Sequence, residues 1–157
     1  MRKELQRLYD LYGEAPFELA QEIAMEVHSG QVDKAGMAYY RHAFAVGSAV
    51  ESASGAIVGY LHDTVEDQPD RITLDEIEEM FGKEIRNSVD AITHRKGRET
   101  YKEYIERCAA DKYAREAKIE DLKHNADLTR FEGMPPKDIL GMITARIIPS
   151  LHRLMKD

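Results

Sequence analysis

The sequence has no tryptophan and a single cysteine, Cys108. One thiol forms no internal disulfide and cannot furnish a cysteine-rich metal site. A reducing, cytoplasmic setting is the expectation. No apolar run approaches the ~20 residues that span a bilayer, and the N-terminal segment carries no apolar core of a secretory leader. Basic residues are outnumbered, with 22 Lys and Arg against 29 Asp and Glu, a formal charge of −7. Broad nucleic-acid binding needs basic surface to displace counterions, so nucleic acid is not an expected partner, and neither is a membrane. Strand signals are also wanting: there is no sustained apolar–polar alternation and no Asn-Gly hairpin. No repeat, linker or low-complexity tract breaks the chain.

What is present is helical periodicity. Leu5, Leu8 and Leu11 recur at helical spacing over 3–12, and Leu19, Ile23 and Val27 over a second helix that begins near Pro16 and stops at Ser29-Gly30. "GQVDKAG" (30–36) is polar, with a glycine at each end, and reads as a loop. "AYYRHAFAVGSAVESA" places Tyr39, His42, Ala43, Val46 and Val50 on one helical face. Residues 53–65 form an apolar helix, and Thr73 with Glu76 opens another by a capping-box pattern. Helices are expected at 83–93, at 100–110 behind a second capping box (Thr100, Glu103), at 111–130 and at 136–155. The sequence predicts one all-α domain over 1–157, with its motifs within about 18–130. Segment 136–155, carrying Ile139, Ile143, Ile147 and Leu151, reads as a docking helix or the interface of a homo-oligomer.

The chemistry concentrates in "YLHDTVED" (60–67). An apolar run, Ala56 to Leu61, ends in His62, Asp63, Glu66 and Asp67. Carboxylates beside an imidazole are costly to bury unless something offsets their charge. The run therefore either ends a helix in solvent or delivers ligands to a buried cation. His42 sits on an apolar stripe, where a core histidine and a ligand are both consistent. In "KIEDLKHNAD" (118–127), Lys118, Asp121 and Asn125 share one stripe beside Ile119, Leu122 and Ala126, which suits a site edge and an exposed face equally. The combination is more telling: two imidazoles and two carboxylates suit a borderline divalent ion such as Mn²⁺, Fe²⁺ or Zn²⁺.

His42, His62-Asp63 and Asp121 together resemble the H…HD…D pattern of the HD-domain metal-dependent phosphohydrolases. "HSGQVDKAGMAYYRHAFAV", "YLHDTVEDQPDRITLDEIEEMFG" and "KIEDLKHNADLTR" are similar to the hydrolase domain of RelA/SpoT enzymes and their small stand-alone relatives, which degrade the alarmone (p)ppGpp. The resemblance implies an all-α bundle and one divalent metal, usually Mn²⁺, on His42, His62, Asp63 and Asp121. It implies that Glu66 and Asp67 assist the attacking water. It also places Lys34 and Asn125 in a nucleotide pocket. A divalent cation acidifies water and polarises a phosphoryl oxygen, Glu66 could orient or deprotonate that water, and Lys34 could meet phosphate charge.

Two positions depart from the family. Asp33 stands where a basic residue usually lies against the guanine base, and Asp127 where an arginine is common. Both changes remove positive charge near the expected nucleotide, and an aspartate there would repel a nearby phosphate. "THRKGRETYKEY" (93–104) gathers Arg95, Lys96 and Arg98. Arg95 and Lys96 are candidate substrate contacts, with Tyr101 or Tyr104 against a base; a solvated helix link is the other reading. His28 suits the C-terminus of its helix, and His94, His124 and His152 have no evident partner. The leading expectation is a (p)ppGpp-type 3′-pyrophosphohydrolase. A phosphatase of another nucleotide or of a nicotinamide cofactor, and a nucleotide-binding sensor without turnover, are the alternatives.

Overall fold

The computed structural model describes residues 1–156. Among them the regular structure is helical: α1 (Lys3–Tyr12), α2 (Pro16–Val27), α3 (Tyr40–Ala49), α4 (Ala53–Leu61), α5 (Thr64–Asp67), α6 (Leu74–Phe81), α7 (Lys83–Ile92), α8 (Tyr101–Ala110), α9 (Lys112–Asn125), α10 (Lys137–Met142) and α11 (Ile148–Leu154). A 3₁₀ turn spans Leu128–Arg130, and a π-helical turn spans Ile143–Ile147. The one β-type pairing among the described residues is an isolated bridge between Val32 and Ala38. The all-α expectation is met.

Local chemistry sets most boundaries. Pro16 occupies the first turn of α2, where its missing N–H costs nothing. Both capping boxes form: Thr73 and Thr100 accept the amides of Glu76 and Glu103, and each glutamate reaches back to its threonine's N–H, at 3.0 and 2.7 Å. Ser52, unmarked in the sequence reading, caps α4 by accepting the Gly55 amide. The chain turns extended at Val50, so α3 is shorter than its apolar pattern predicts.

Packing accounts for the unusual composition of α4. Every residue from Gly55 to Leu61 is buried, because α2, α3, α7 and α9 all pack against this helix. A helix apolar all round is stable only when enclosed in this way. The α3–α4 contact is especially close. A Cβ on Gly59 would stand 2.8 Å from the Gly47 Cα, and one on Gly47 would stand 2.5 Å from the Tyr60 ring. Backbone meets backbone here, which draws together the two helices that carry His42 and His62.

Some expectations need correction. The helix predicted over 53–65 stops at Leu61 and restarts at Thr64. His62 Nδ1–H donates to the Gly59 carbonyl at 2.7 Å, and Thr64 Oγ1 donates to the Leu61 carbonyl at 2.7 Å. Side chains that take backbone carbonyls compete with the helical ladder. Leu11, predicted on the apolar face of α1, is 68% exposed. The helix predicted over 111–130 ends at Asn125. Segment 136–155 is broken by its π turn; Pro149, lacking an N–H, sits in the first turn of α11 beyond that break. Ile139, Ile147 and Leu154 are buried, and α11 packs on α8 and α9.

Candidate metal centre

Two helices and the break after α4 deliver four side chains to one point. His42 comes from α3, His62 and Asp63 from the break and Asp121 from α9, with one ligand atom of each lying within 4.8 Å of all the others. His42 Nε2 is 2.9 Å from Asp121 Oδ1 and 3.2 Å from His62 Nε2, and His62 Nε2 is 2.9 Å from Asp63 Oδ2. His42, His62 and Asp121 are buried. No helix among the described residues is long and apolar enough to cross a membrane.

The tautomers follow from the bonds. A carbonyl can only accept, so His62 must carry its proton on Nδ1, facing Gly59. Its Nε2 is therefore the nitrogen that faces the cluster, donating to the carboxylates while the ring is charged and free to bind an ion through its lone pair once that proton leaves. Burial disfavours a charged His62, but Asp63 and Asp121 outweigh that and hold the imidazole well above its usual range. Burial likewise pushes Asp63 and Asp121 upward, yet His62 beside Asp63, and Lys118 beside Asp121, bring both carboxyls below theirs. The cluster calls for positive charge at its centre. Two imidazole nitrogens and two hard carboxylates fit a borderline divalent cation in number and in chemistry.

Supporting contacts surround the four. Tyr39 donates its hydroxyl to Asp63 Oδ2 at 2.5 Å. Buried Lys118 donates to Asp121 Oδ2 at 2.7 Å, and Asn125 donates to Asp121 Oδ1 at 2.9 Å. His124 stacks on His42. Tyr39 and Lys118 were legible as neighbours on helical stripes, not as partners; His124 left no usable signal.

Glu66 and Asp67, on α5, stand beside this cluster, and with Asp63 they form a second acidic group. Glu66 accepts the His94 amide at 2.6 Å and pairs with Lys96 at 3.3 Å. Asp67 accepts from Gln31 at 2.8 Å, which in turn bonds His28. Burial, reinforced by the charge on Asp63, raises both carboxyls above their usual range. Carboxylates so placed hold a proton more readily than exposed ones.

His42, Asp63, Asp121, Glu66 and Asp67 line a pocket of about 380 Å³. Its wall also includes Lys34, Lys96, Asn125, Asp33, Arg130 and Phe131. Lys34, at the mouth, pairs with Asp138 at 3.2 Å. Arg95 is not among the residues lining the pocket: it pairs instead with Asp90, at 3.1 Å. Tyr104 is buried, stacked on His94 with its hydroxyl donated to the Ile92 carbonyl, and Tyr101 lies against Arg146, so neither ring lines the pocket. Asp33 does not stand free as the sequence suggested; it is paired with Arg130 at 2.7 Å.

Similarity to known proteins agrees with this geometry. A guanosine-3′,5′-bis(diphosphate) 3′-pyrophosphohydrolase of Spiroplasma citri is 38% identical over 78 residues, covering 47% of this chain and 10% of that protein. A probable GTP pyrophosphokinase of Mycobacterium leprae (strain TN) is 30% identical over 129 residues, 74% of this chain and 16% of the relative. The chain thus spans a small fraction of the length of these curated relatives. Among solved structures, a metazoan orthologue of SpoT that hydrolyses ppGpp superposes with a TM-score of 0.67 at 20% identity, over 89% of this chain and 93% of the other. At that identity the likeness is one of fold. The sequence pattern of the HD domain matches residues 20–126, which include the four clustered residues as well as Glu66 and Asp67, and the chain belongs to the HD-domain family.

Proposed function

We propose that this protein is a divalent-metal-dependent phosphohydrolase of phosphorylated nucleotides, in its leading form a 3′-pyrophosphohydrolase of guanosine bis(diphosphate)-type compounds. The observation that carries this reading is the convergence of His42, His62, Asp63 and Asp121 on one point at the floor of a pocket, with Glu66 and Asp67 alongside. The names borne by the Spiroplasma relative and by the metazoan structure support the guanosine substrate.

His42, His62, Asp63 and Asp121 would hold the ion, and Mn²⁺ suits a set of two imidazoles and two carboxylates. Such an ion supplies Lewis-acid polarisation of a phosphoryl oxygen and makes water more acidic. Glu66 takes the proton of the attacking water; its raised affinity for a proton equips it as a base. The His94 amide and Lys96 fix the carboxylate that does so. Asp67, steered by Gln31, helps Glu66 orient that water. Lys34 exchanges Asp138 for substrate phosphate. Tyr39, Lys118 and Asn125 keep Asp63 and Asp121 from rotating away.

A second reading, release of phosphate from another nucleotide, is favoured by Asp33 and Asp127, which lower the positive charge available to a densely phosphorylated ligand. The deciding assay incubates Mn²⁺-loaded protein with guanosine bis(diphosphate), a nicotinamide cofactor bearing a 2′-phosphate and a set of 3′-nucleotides, and identifies products by mass. Pyrophosphate release from the first supports the leading form. Orthophosphate from another compound supports the second, and tight binding without turnover would reverse the reading in favour of a sensor.

A further inference from the structure

The cations lining the pocket differ in how firmly they are held. The Lys34 and Lys96 side chains are 61% and 71% exposed, and Lys118 is committed to Asp121. Arg130 is only 16% exposed and is fixed twice: Nη2 donates to Asp33 Oδ2 at 2.7 Å, and Nη1 donates to the His124 carbonyl at 3.1 Å. A guanidinium has five N–H donors in a rigid fork, so donors remain for a ligand.

The two acidic departures from the family pattern both serve this placement. Asp33 Oδ1 accepts the amides of Ala35 and Met37, at 2.9 and 3.0 Å, which folds the 30–38 loop, while Oδ2 takes Arg130. Asp127 accepts the amide of Thr129 at 3.0 Å and its hydroxyl at 2.6 Å, closing the 3₁₀ turn on which Arg130 rides. Neither carboxylate is left to confront a ligand. Between them they deliver one guanidinium to a pocket wall shared with Val32, Phe131, Ile139 and Met142.

We propose that Arg130 is the specificity-determining residue of this pocket, donating N–H bonds to the non-reacting part of a nucleotide, and that Asp33 is a positioning residue that fixes the fork and cancels its charge. The proposal rests on the phosphohydrolase reading above and adds to it. A free guanidinium attracts phosphate; one whose charge is cancelled, set in an apolar wall, selects a neutral acceptor such as a base carbonyl or a sugar hydroxyl. The site is therefore tuned against extra phosphate at this wall.

The test uses full-length Mn²⁺-loaded protein with guanosine bis(diphosphate) and guanosine 3′-monophosphate as probes, measuring kcat and KM together with the thermal shift that each nucleotide produces. Arg130→Ala should raise KM about tenfold or more while kcat changes by less than about threefold, the loss of the fork's hydrogen bonds to bound ligand. Arg130→Lys, which keeps the charge and loses the fork, should recover only a minor part. Asp33→Asn keeps the Oδ1 acceptor but frees the guanidinium's charge. It should improve KM for the bis(diphosphate) relative to the monophosphate by about fivefold, the effect of one unit charge a few ångströms away in a wet site. Variants that melt earlier but keep wild-type KM values and the wild-type preference would overturn the assignment and leave the phosphohydrolase reading standing. If wild type hydrolyses neither probe, the guanosine form of that reading fails, and Arg130 is judged by thermal shift alone. A nucleotide-induced shift lost in Arg130→Ala sustains the assignment; a shift that survives, or none in wild type, ends it.

Discussion

His124 stacks on His42 with ring centroids 4.9 Å apart and their Nδ1 atoms separated by 2.6 Å. One nitrogen must donate and the other accept. Burial, and then the neighbouring His42, push His124 down to about 4, so it is neutral at physiological pH and able to accept through Nδ1. With an ion in the cluster, His42 would bind it through Nε2 and keep its proton on Nδ1, and His124 Nδ1 would accept that proton's hydrogen bond. Partners that orient a metal-binding imidazole typically matter 10–100-fold in affinity. His124→Phe, which keeps a stacked ring and removes the acceptor, should weaken Mn²⁺ binding by that order in titration calorimetry; an unchanged Kd would refute the role.

Chelation should destabilise the protein, because the ion binds the folded cluster and not the unfolded chain. At a free Mn²⁺ concentration of about 100 Kd the gain is about 2.7 kcal/mol, or roughly 5–10 °C for a chain of this size. Scanning calorimetry before and after EDTA checks this. In Asp121→Ala the ion should no longer move the melting temperature.

Glu66→Gln should lower kcat by about 10²–10⁴-fold while the ion still binds. The pH dependence has a definite sign. Burial and Asp63 raise the Glu66 carboxyl, whereas the His94 amide and Lys96 pull it down. A base must lose its proton before it can accept one, so activity falls as pH drops through the Glu66 titration. Lys96→Met removes one of the opposing influences and should move the acid limb of kcat/KM to higher pH. A limb that stays in place, or moves to lower pH, would show that Glu66 is not the titrating base.

Gly59→Ala should cost about 1–3 kcal/mol, since the added methyl meets the Gly47 backbone rather than a yielding side chain. Urea unfolding measures the cost. Separation of α3 from α4 should also weaken the ion's hold, so the variant should lose Mn²⁺ affinity as well as stability.

Cys108 is fully buried, and burial pushes its thiol up to about 12. The thiolate is the reactive form, so Ellman's reagent at pH 8 should leave the native protein unlabelled and titrate one thiol after guanidinium unfolding. Because the folded thiol holds its proton more tightly, its contribution to stability is complete below the ordinary thiol range. That contribution is lost as pH rises toward 12.

The sequence made the helices legible because their signals are local. Apolar spacing, Pro16 and two threonine–glutamate boxes act within a few residues, and each was found. The break at His62 was missed because its cause is two side chains bonding to carbonyls three residues back, which competes with a strongly apolar run. The four clustered residues were readable as a pattern across distant segments, but their partners were less so. Tyr39, Lys118 and His124 gain their meaning only when α3, α9 and the break after α4 meet. The Asp33–Arg130 pair joins residues 97 apart, and nothing local announces it. Arg95 misled for the opposite reason: a basic cluster on a link looks ligand-directed until a nearby Asp90 claims it.

Lys118 brings a permanent resident cation to the floor of the pocket, 2.7 Å from Asp121. A site with its own partial counter-charge does not have to wait for an imported one before its helices close. Assembly and loading can then be separate events: the bundle shuts first, around an internal ammonium, and the arriving ion completes a vessel already made.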